Sequence, residues 1–375
     1  MNKKLIAVVL AALPVVAMAD VTLYGNLKAD VESDSLTGNP TTNKVQDDLS
    51  LIGFKGTEDL GNGLKTVWQI ENRVMIDGTS QKGFATRQTF VGLDGGNLGV
   101  IRLGYVNNFL NDQYSVDQWQ YNDTYEGANP GGANGLAVFA NSGDRLKNAV
   151  RYDSATFFGF SAGAELGFGE NNQNQAALVP GQTSNPSNVV GAALNYTYGG
   201  VAAHYAYQQE KNAQNGDALS LNEGKNASKS LYEVDYTGGN LFLSGAYQTA
   251  VGYSWTDDFA GDSVDDASLG GNAISAQLKT QQVAVSAAYT IGAITPQISF
   301  AKGFNAKIGN SSISDSGYKQ WVAGVNYALS KRTTAGISYG QLKFDPNTDF
   351  AQYNVPGTTS DVTLKTVALS LATSF

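Results

Sequence analysis

Short stretches that alternate apolar and polar residues recur along most of this chain, and they constrain its fold more than any other feature. Side chains of a β-strand point alternately to opposite faces of the sheet. In the last ten residues, the apolar face consists of Val367, Leu369, Leu371 and Phe375, and the other face of Thr366, Ser370 and Ser374. A strand of this kind suits a wall that separates lipid from water.

The first residues predict export from the cytoplasm. Lys3 and Lys4 precede an apolar run over residues 5–16, and Ala17-Met18-Ala19 matches the small-x-small end that signal peptidase cleaves. We therefore predict a signal peptide over residues 1–19 and a single domain over residues 20–375. The alternative is a membrane-anchoring helix, but the apolar run is shorter than the ~20 residues needed to span a bilayer.

Composition excludes several classes of protein. The net charge of −9 argues against nucleic acid as a partner. Because the chain has no cysteine, it cannot form disulfides or thiolate metal sites. The mean hydropathy is −0.21, and no stretch after residue 19 reaches the length of a membrane-spanning helix. A strand crosses a bilayer with only ~9–11 residues, of which every second one is apolar, so a membrane location remains compatible with this composition.

Counting such strands predicts an all-β fold, a transmembrane antiparallel β-barrel of 16 strands. An even number places both chain ends on one side, with seven short turns there and eight longer loops opposite. Closure is required because open strand edges in hydrocarbon leave peptide groups unpaired at several kcal/mol each. The third long connection is an irregular stretch over residues 106–144.

Aromatic residues cluster just before the predicted short turns and at the chain end. They are Tyr152, Tyr196, Tyr198, Tyr236, Tyr289, Tyr327 and Phe375. At the surface of a membrane, a tyrosine can bury its ring in lipid while its hydroxyl stays in water. The alternative is an ordinary β-sandwich core, which does not explain why these residues gather at one end of successive hairpins.

Several motifs resemble those of the neisserial-type general porins of Gram-negative bacteria. The matching segments are Asp20-Val21-Thr22-Leu23-Tyr24-Gly25, residues 52–65 (IGFKGTEDLGNGLK), residues 87–93 (RQTFVGL) and the block RxxNxVRYDS that starts at Arg145. The resemblance spans the chain and implies a homotrimer in the bacterial outer membrane, in contact with lipids and lipopolysaccharide. Each subunit would form a water-filled channel for passive transport of ions and small hydrophilic solutes, without a cofactor and without enzymatic activity.

The resemblance also implies that the third long loop folds into the pore and narrows it. Its acidic residues Asp112, Asp117, Asp123 and Glu126 would then face a basic ladder on the opposite wall, and the transverse field would sort solutes by charge. Counting by two places Lys28, Lys65, Arg73, Arg102, Lys147 and Arg151 on the inner face, and Arg145 occupies the position of a constriction arginine in the family. Arg87 could face either way.

Three positions that are often basic in the family carry Asn26, Leu51 and Tyr105 in this chain. A thinner basic ladder beside an acidic loop lessens the preference for anions. We therefore expect weak charge selectivity or a bias towards cations.

A few residues bear on functions other than diffusion. The single histidine, His204, has no motif around it, so a catalytic triad is not supported. The carboxylates Asp257, Asp258, Asp262, Asp265 and Asp266 lack the spacing of a cation-binding loop, and we expect a solvated or lipopolysaccharide-facing loop there. A channel specific for sugars, or a surface adhesin, stays open as an alternative. Aromatic residues of the third loop could stack on sugars or pack the loop against the wall; they are Tyr114, Trp119, Tyr121 and Tyr125.

Overall fold

The computed structural model of the chain describes residues 20–78, 83–119, 132–140, 145–169, 188–213, 225–253 and 278–375. Some sequence predictions fall outside these ranges and stay predictions. They concern the signal peptide over residues 1–19, the loop residues Asp123, Glu126, Tyr121 and Tyr125, and the carboxylates between residues 257 and 266.

The described residues form one antiparallel sheet that closes on itself as a barrel of sixteen strands, as predicted. The barrel strands are β1 (Asp20–Leu36), β3 (Leu51–Gly61), β4 (Leu64–Arg73), β5 (Thr89–Asp94), β6 (Val100–Asn107), β7 (Arg145–Asp153), β8 (Phe160–Gly167), β9 (Val189–Tyr198), β10 (Val201–Ala213), β11 (Lys225–Gly238), β12 (Leu241–Val251), β13 (Leu278–Tyr289), β14 (Ile294–Gly303), β17 (Tyr318–Ala328), β18 (Thr333–Phe344) and β19 (Val362–Ser374). Three short strands, β2 (Thr42–Asp47), β15 (Lys307–Ile308) and β16 (Ser311–Ser312), extend the wall at the loop end.

The first and last strands close the barrel. They pair from Asn26 opposite Ser374 to Leu36 opposite Leu364, while the other edge of β1 pairs with β3 and β2. Pairing on both edges gives the backbone donors and acceptors of β1 their partners within the sheet. A strand in hydrocarbon has no water to replace those partners, so closure is what allows the sheet to cross a membrane.

Seven short connections lie at one end of the barrel and eight longer ones at the other, which confirms the predicted asymmetry. The turn between β9 and β10 shows why the short ones are tight. Gly199 and Gly200 have φ values of 56° and 87°, and Tyr198 pairs with Val201 across them. A two-residue hairpin turn with positive φ at both positions favours glycine, because glycine has no Cβ to clash with the backbone.

The strands separate an apolar outer face from a largely polar inner face. In β19, the exposed fractions of Val367, Leu369 and Leu371 are 45, 58 and 54%, whereas the alternating Thr366 and Ser370 are buried. Tyrosines at the short-turn end, such as Tyr236 and Tyr327, are also exposed on the outside. Lipid is the environment that suits such an exposed apolar surface.

Strand β7 departs from strict alternation. Asn148 has a positive φ of 47°, and the pairing of β6 with β7 shifts register between Gly104 and Val106. Strict alternation along β7 predicts that Leu146 faces outward with Val150 and Tyr152, but this prediction is wrong, since Leu146 is fully buried. An extra residue in one strand reverses the faces beyond it. Because of this irregularity, counting by two from Arg151 does not show whether the exposed Lys147 faces the pore. Its place in the pore stays a prediction.

Three α-helices occur in the described residues, α1 (Phe109–Asp112), α2 (Ala137–Ala140) and α3 (Asp349–Asn354), besides a 3-10 helix over Gly96–Leu98. The first is capped by Asn108, whose side chain accepts a hydrogen bond from the Asn111 N–H at 2.7 Å. Among the described residues, none of the helices combines the length and apolar character needed to cross a membrane. The main apolar cluster packs residues around α1 and α2, such as Leu110 and Phe139, against wall residues such as Leu231 and Leu342.

Candidate functional site

The described parts of the third long connection, residues 108–119 and 132–140, lie inside the barrel. Their hydrogen bonds reach wall strands on several sides of the barrel, including Asn195 on β9, Gln208 on β10, Gln248 on β12, Ser299 on β14, Gln320 on β17, Thr366 on β19 and Asp30 on β1. A single segment can contact strands so far around a closed cylinder only from within it. We refer to residues 108–119 and 132–140 as the inner segment.

Two carboxylates of the wall hold the backbone of the inner segment. Glu165 accepts a hydrogen bond from the Phe109 N–H at 3.2 Å. Glu233 accepts hydrogen bonds from the N–H groups of Ser115 and Val116 at 2.8 and 3.1 Å. Both carboxylates are almost completely buried. Each of these hydrogen bonds gives a partner to a backbone N–H of the inner segment, so the contacts fix where the segment enters the lumen.

The acidic end of α1 is paired with a basic residue of the neighbouring wall. Asp112 Oδ2 lies 2.5 Å from Arg151 Nη1, and Arg151 also donates to Asp153 at 2.8 Å and to the Asn107 carbonyl at 2.7 Å. Its guanidinium lies 4.1 Å from the Phe109 ring centroid. Asp112 thus pairs with Arg151, a member of the predicted basic ladder, and its place opposite a ladder on the far wall stays a prediction. The helix directly follows β6, whose neighbour β7 carries Arg151, so Asp112 reaches the adjacent strand first.

Two further residues of the predicted basic ladder are also neutralised locally. Arg73 donates from Nε and Nη2 to Asp47 at 3.1 and 3.0 Å. Arg102 forms an ion pair with Asp153, and its guanidinium lies 5.4 Å from the Phe90 ring centroid. A paired guanidinium attracts passing anions less than an unpaired one, because the nearby carboxylate cancels its field at a distance.

The remaining predicted bases have different surroundings. Lys28 lies on the face of β1 that carries the buried Asp30 and Glu32. Lys65 is exposed near the short-turn end of β4. Asp117 itself accepts hydrogen bonds from the backbone N–H groups of Trp119 and Leu136 at 3.3 and 3.4 Å.

Arg87, whose direction the sequence left open, belongs to a basic group in the lumen. The charges of Arg145 and Arg73 act on its guanidinium, as does that of Glu71. Arg145 lies over the Tyr105 ring, 5.7 Å from its centroid. We call Lys28, Arg73, Arg87 and Arg145 the basic cluster. The arrangement of the loop acid Asp117 opposite wall bases, which the resemblance implies, stays a prediction.

Sequence reasoning missed one basic residue of the inner wall, Lys55. Lys55 lies 5.1 Å from the centroid of the Tyr24 ring, whose hydroxyl donates to Glu71 at 2.8 Å. Alternation along β3 places Lys55 on the same face as Leu51, so Lys55 could have been predicted from the sequence. The sequence does not predict the pairing of Arg73 with Asp47. Strand β2 is paired with β1 and strand β4 with β3, so the two residues come together only through the folding of the barrel.

The aromatic residues of the inner segment pack against the wall. Trp119 is 7% exposed and donates from Nε1 to Ser299 at 2.9 Å. Tyr114 donates to Gln248 at 3.1 Å, and its ring meets that of Phe139 edge-on at a centroid distance of 6.1 Å. The Trp119 ring is buried, whereas the Tyr114 ring is partly exposed. These contacts support the packing role for both residues.

The surroundings of His204 do not resemble a catalytic triad. Its Nδ1 lies 2.8 Å from Asn195 Oδ1 and its Nε2 lies 3.6 Å from Asp235 Oδ2. Both ring nitrogens thus face an amide or a carboxylate and not a hydroxyl that could act as nucleophile. Within the ranges that the structure describes, no three His, Asp or Glu side chains are grouped so that they could hold a metal ion.

Comparison with known solved structures supports the fold. An anion-selective porin from Comamonas acidovorans superimposes with a TM-score of 0.69 at 21% identity, covering 95% of this chain and 100% of that one. The OmpF porin of Salmonella typhi, solved with daunomycin, gives a TM-score of 0.64 at 22% identity. The match covers 95% of this chain and 98% of that one.

Sequence comparison identifies the family. The model of the family described as Gram-negative porin matches residues 20–367. Major outer membrane protein P.IB of Neisseria sicca is 36% identical over 354 residues, which are 92% of this chain and 94% of that protein. Major outer membrane protein P.IA of Neisseria meningitidis serogroup C is 33% identical over 396 residues, with 94 and 96% covered. The chain therefore belongs to the Gram-negative porin family and is an integral β-barrel protein of the outer membrane.

Proposed function

We propose that this protein is a general diffusion porin, which lets ions and small hydrophilic solutes pass passively through a water-filled channel. The observation that carries the proposal is the inner segment. It is anchored by wall residues such as Glu233, Ser299 and Thr366 inside a barrel whose inner face is largely polar. A fixed obstacle in a hydrated lumen sorts solutes by size and charge without tight binding.

We further propose that the channel is weakly selective or favours cations. Three residues of the predicted ladder, Arg73, Arg102 and Arg151, are paired with carboxylates. The neutral Asn26 and Tyr105 add no positive charge to the wall. In this proposal Asp117 and the predicted loop acids Asp123 and Glu126 set the potential at the constriction, facing the basic cluster. The anion selectivity named for the Comamonas porin is a property of that protein.

The assembly that we propose is a homotrimer in which each subunit keeps its own pore. Support comes from the resemblance to trimeric porins. The outward apolar faces of the first and last strands, exemplified by Val31 and Leu369, are the surfaces that we expect to meet between subunits. No enzymatic activity is proposed; in the described part of the chain the ring nitrogens of His204 face Asn195 and Asp235.

Single-channel recording tests these proposals together. The protein, refolded without residues 1–19, is inserted into a planar bilayer under a KCl gradient. We expect conductance that rises linearly with salt, closes in three steps, and gives a reversal potential near zero or on the cation side. A clear anion preference would refute the proposed selectivity, and a saturable block by sugars would favour the specific channel instead. Absence of conductance by correctly folded barrels would overturn the diffusion function itself.

A further inference from the structure

A recess without charge lies in the inner wall near the short-turn end of the barrel. It is a cavity of about 450 Å³, lined by residues of β11–β14, β17 and β18 and by Gln118 of the inner segment. Gly239 and Asn240 of the turn between β11 and β12 also line it, which gives its height along the barrel. Ligand sites commonly have volumes of about 300–1,000 Å³. We call it the neutral recess, and its lining includes Phe242, Ala288, Thr290, Thr295, Gln297 and Asn326.

The neutral recess differs in charge from the other side of the lumen. Among the described residues that line it, none is charged. A second cavity, of about 200 Å³, contains Asp112, Arg151 and Asp153. A charged solute that entered the neutral recess would lose water without gaining an opposite charge. The neutral recess therefore suits an uncharged ligand.

Gln297 gives the neutral recess an unused hydrogen-bonding group. It is 8% exposed, and its side chain makes no hydrogen bond to another described residue. Two other buried glutamines of the inner wall hold the inner segment: Gln248 accepts from Tyr114 at 3.1 Å, and Gln320 donates to the Gly135 carbonyl at 2.5 Å. Buried polar groups normally have partners. A ligand that pairs with the Gln297 amide must both donate and accept a hydrogen bond.

The ring of Phe242 supplies an apolar surface beside this amide. On the inner face, Phe242 lies opposite Ala288, and Ala288 lies opposite Gln297. Neighbouring strands are about 4.8 Å apart, so Phe242 and Gln297 are separated by about 10 Å with only a methyl group between them. This gap has room for one flat ring, which can stack on the phenyl ring of Phe242.

The hydroxyl groups of the neutral recess are less available than the Gln297 amide. The hydroxyls of Thr290 and Thr295 are hydrogen-bonded to each other at 3.1 Å. A polyol needs several free partners arranged around it, whereas a planar amide needs one amide partner and one flat surface. The lining thus favours a planar amide over a sugar.

We propose that the neutral recess weakly binds uncharged planar carboxamides, in which a CONH₂ group is attached to a flat ring. The Gln297 amide would exchange two hydrogen bonds with the ligand amide, and the ligand ring would stack on Phe242. Asn326 lies diagonally across the β14–β17 pair from Gln297 and would bond a polar atom of the ring. This inference rests on the proposed function, because the ligand reaches the neutral recess through the water-filled channel.

Saturation-transfer NMR on the detergent-refolded protein tests the proposal, with nicotinamide as the probe. Nicotinate has the same ring but carries a carboxylate, and glucose is uncharged but not planar. We expect saturable, millimolar binding of nicotinamide and at least about tenfold weaker binding of both comparison solutes. Binding of nicotinate or glucose as tight as that of nicotinamide would overturn the proposed ligand class.

Matched variants connect the binding to the neutral recess. Gln297→Met keeps the size of the side chain but removes both hydrogen bonds, and is expected to bind nicotinamide about tenfold more weakly. Gln281→Met makes the same change on the outward face of β13 and is expected to bind like the unaltered protein. Phe242→Leu removes the stacking surface and is also expected to weaken binding, whereas Phe242→Tyr keeps it. Undiminished binding by both Gln297→Met and Phe242→Leu would overturn the site.

The conductance of the same preparation separates this inference from the diffusion function. An unaltered protein that conducts ions but does not bind nicotinamide would overturn the neutral recess as a ligand site and leave the channel standing. A protein that binds nicotinamide but does not conduct would overturn the diffusion function instead.

Discussion

Arg151 Nη1 and Asp112 Oδ2 lie 2.5 Å apart and join the short helix α1 to strand β7. The contact brings one charge of each sign into the lumen at the point where the inner segment begins. Because Arg151 also contacts Asp153, it keeps an acidic partner when Asp112 is changed. This pair therefore allows the charge of the lumen to be altered without leaving a buried arginine unpaired.

Replacing Asp112 with Asn removes one negative charge from the lumen. We expect the reversal potential in a KCl gradient to move towards anions, because the Arg151 charge is then compensated only by Asp153, which it shares with Arg102. The matched control is Glu58→Gln, on the outward face of β3 near a short turn. An equal movement in the control, or a movement towards cations, would contradict the role of Asp112 in the pore.

Replacing Glu233 with Ala leaves the backbone N–H groups of Ser115 and Val116 without their acceptor. A buried donor that loses its partner costs about 1–3 kcal/mol. We expect a lower free energy of unfolding in lipid vesicles and more frequent current fluctuations, since the inner segment is less firmly held. Glu233→Gln keeps one acceptor oxygen, so its free energy of unfolding should lie between those of the unaltered protein and Glu233→Ala. Quiet recordings from Glu233→Ala would contradict this anchoring role.

Gly340 marks the closest approach of the inner segment to the wall. A Cβ atom built at this position would lie 1.7 Å from the Ala133 carbonyl oxygen. We therefore expect Gly340→Ala to displace the segment around Ala133 and change the single-channel conductance. Gly245→Ala is the matched control, because a Cβ there lies 4.0 Å from its nearest neighbour, Val285. Unchanged conductance in Gly340→Ala would show that the wall and segment can separate without effect.

Trp119 tests whether the aromatic residues serve packing or sugar binding. Trp119→Ala should lower the free energy of unfolding by about 3–5 kcal/mol, as for other buried tryptophans. Trp119→Phe should cost about 1 kcal/mol through loss of the hydrogen bond to Ser299. We expect no block of the unaltered channel by a linear oligosaccharide. A block that disappears in Trp119→Phe would identify the residue as part of a sugar path.

Val285 tests the lipid-facing surface. It is 54% exposed near the middle of the outward face of β13, so Val285→Arg should lower the free energy of unfolding in vesicles by about 2–4 kcal/mol. Gln281→Arg places the same side chain nearer the loop end of the same face of β13, at interface depth, and should cost about 0–1 kcal/mol. Equal costs at the two positions would contradict the lipid-facing placement of this surface.

Alternation predicted the sixteen strands because the outer face of each must be apolar and the turns between them are rich in glycine. Alternation breaks down at Asn148. There the irregular pairing of β6 with β7 turns Leu146 from the outer to the inner face and buries it. It also could not place Arg87, which lies before the start of β5 and so outside any alternating strand. In both cases the local backbone departs from the two-residue period on which the counting depends.

The sequence by itself determined the closed barrel, its even strand number, the two chemically different faces and the family. These properties depend on a local period that is repeated in every strand. Only the tertiary structure decided that Arg73 and Arg151 are paired with Asp47 and Asp112, and that Glu233 holds the backbone of the inner segment. Such contacts join residues distant along the chain, and their geometry depends on how the inner segment packs within the closed barrel.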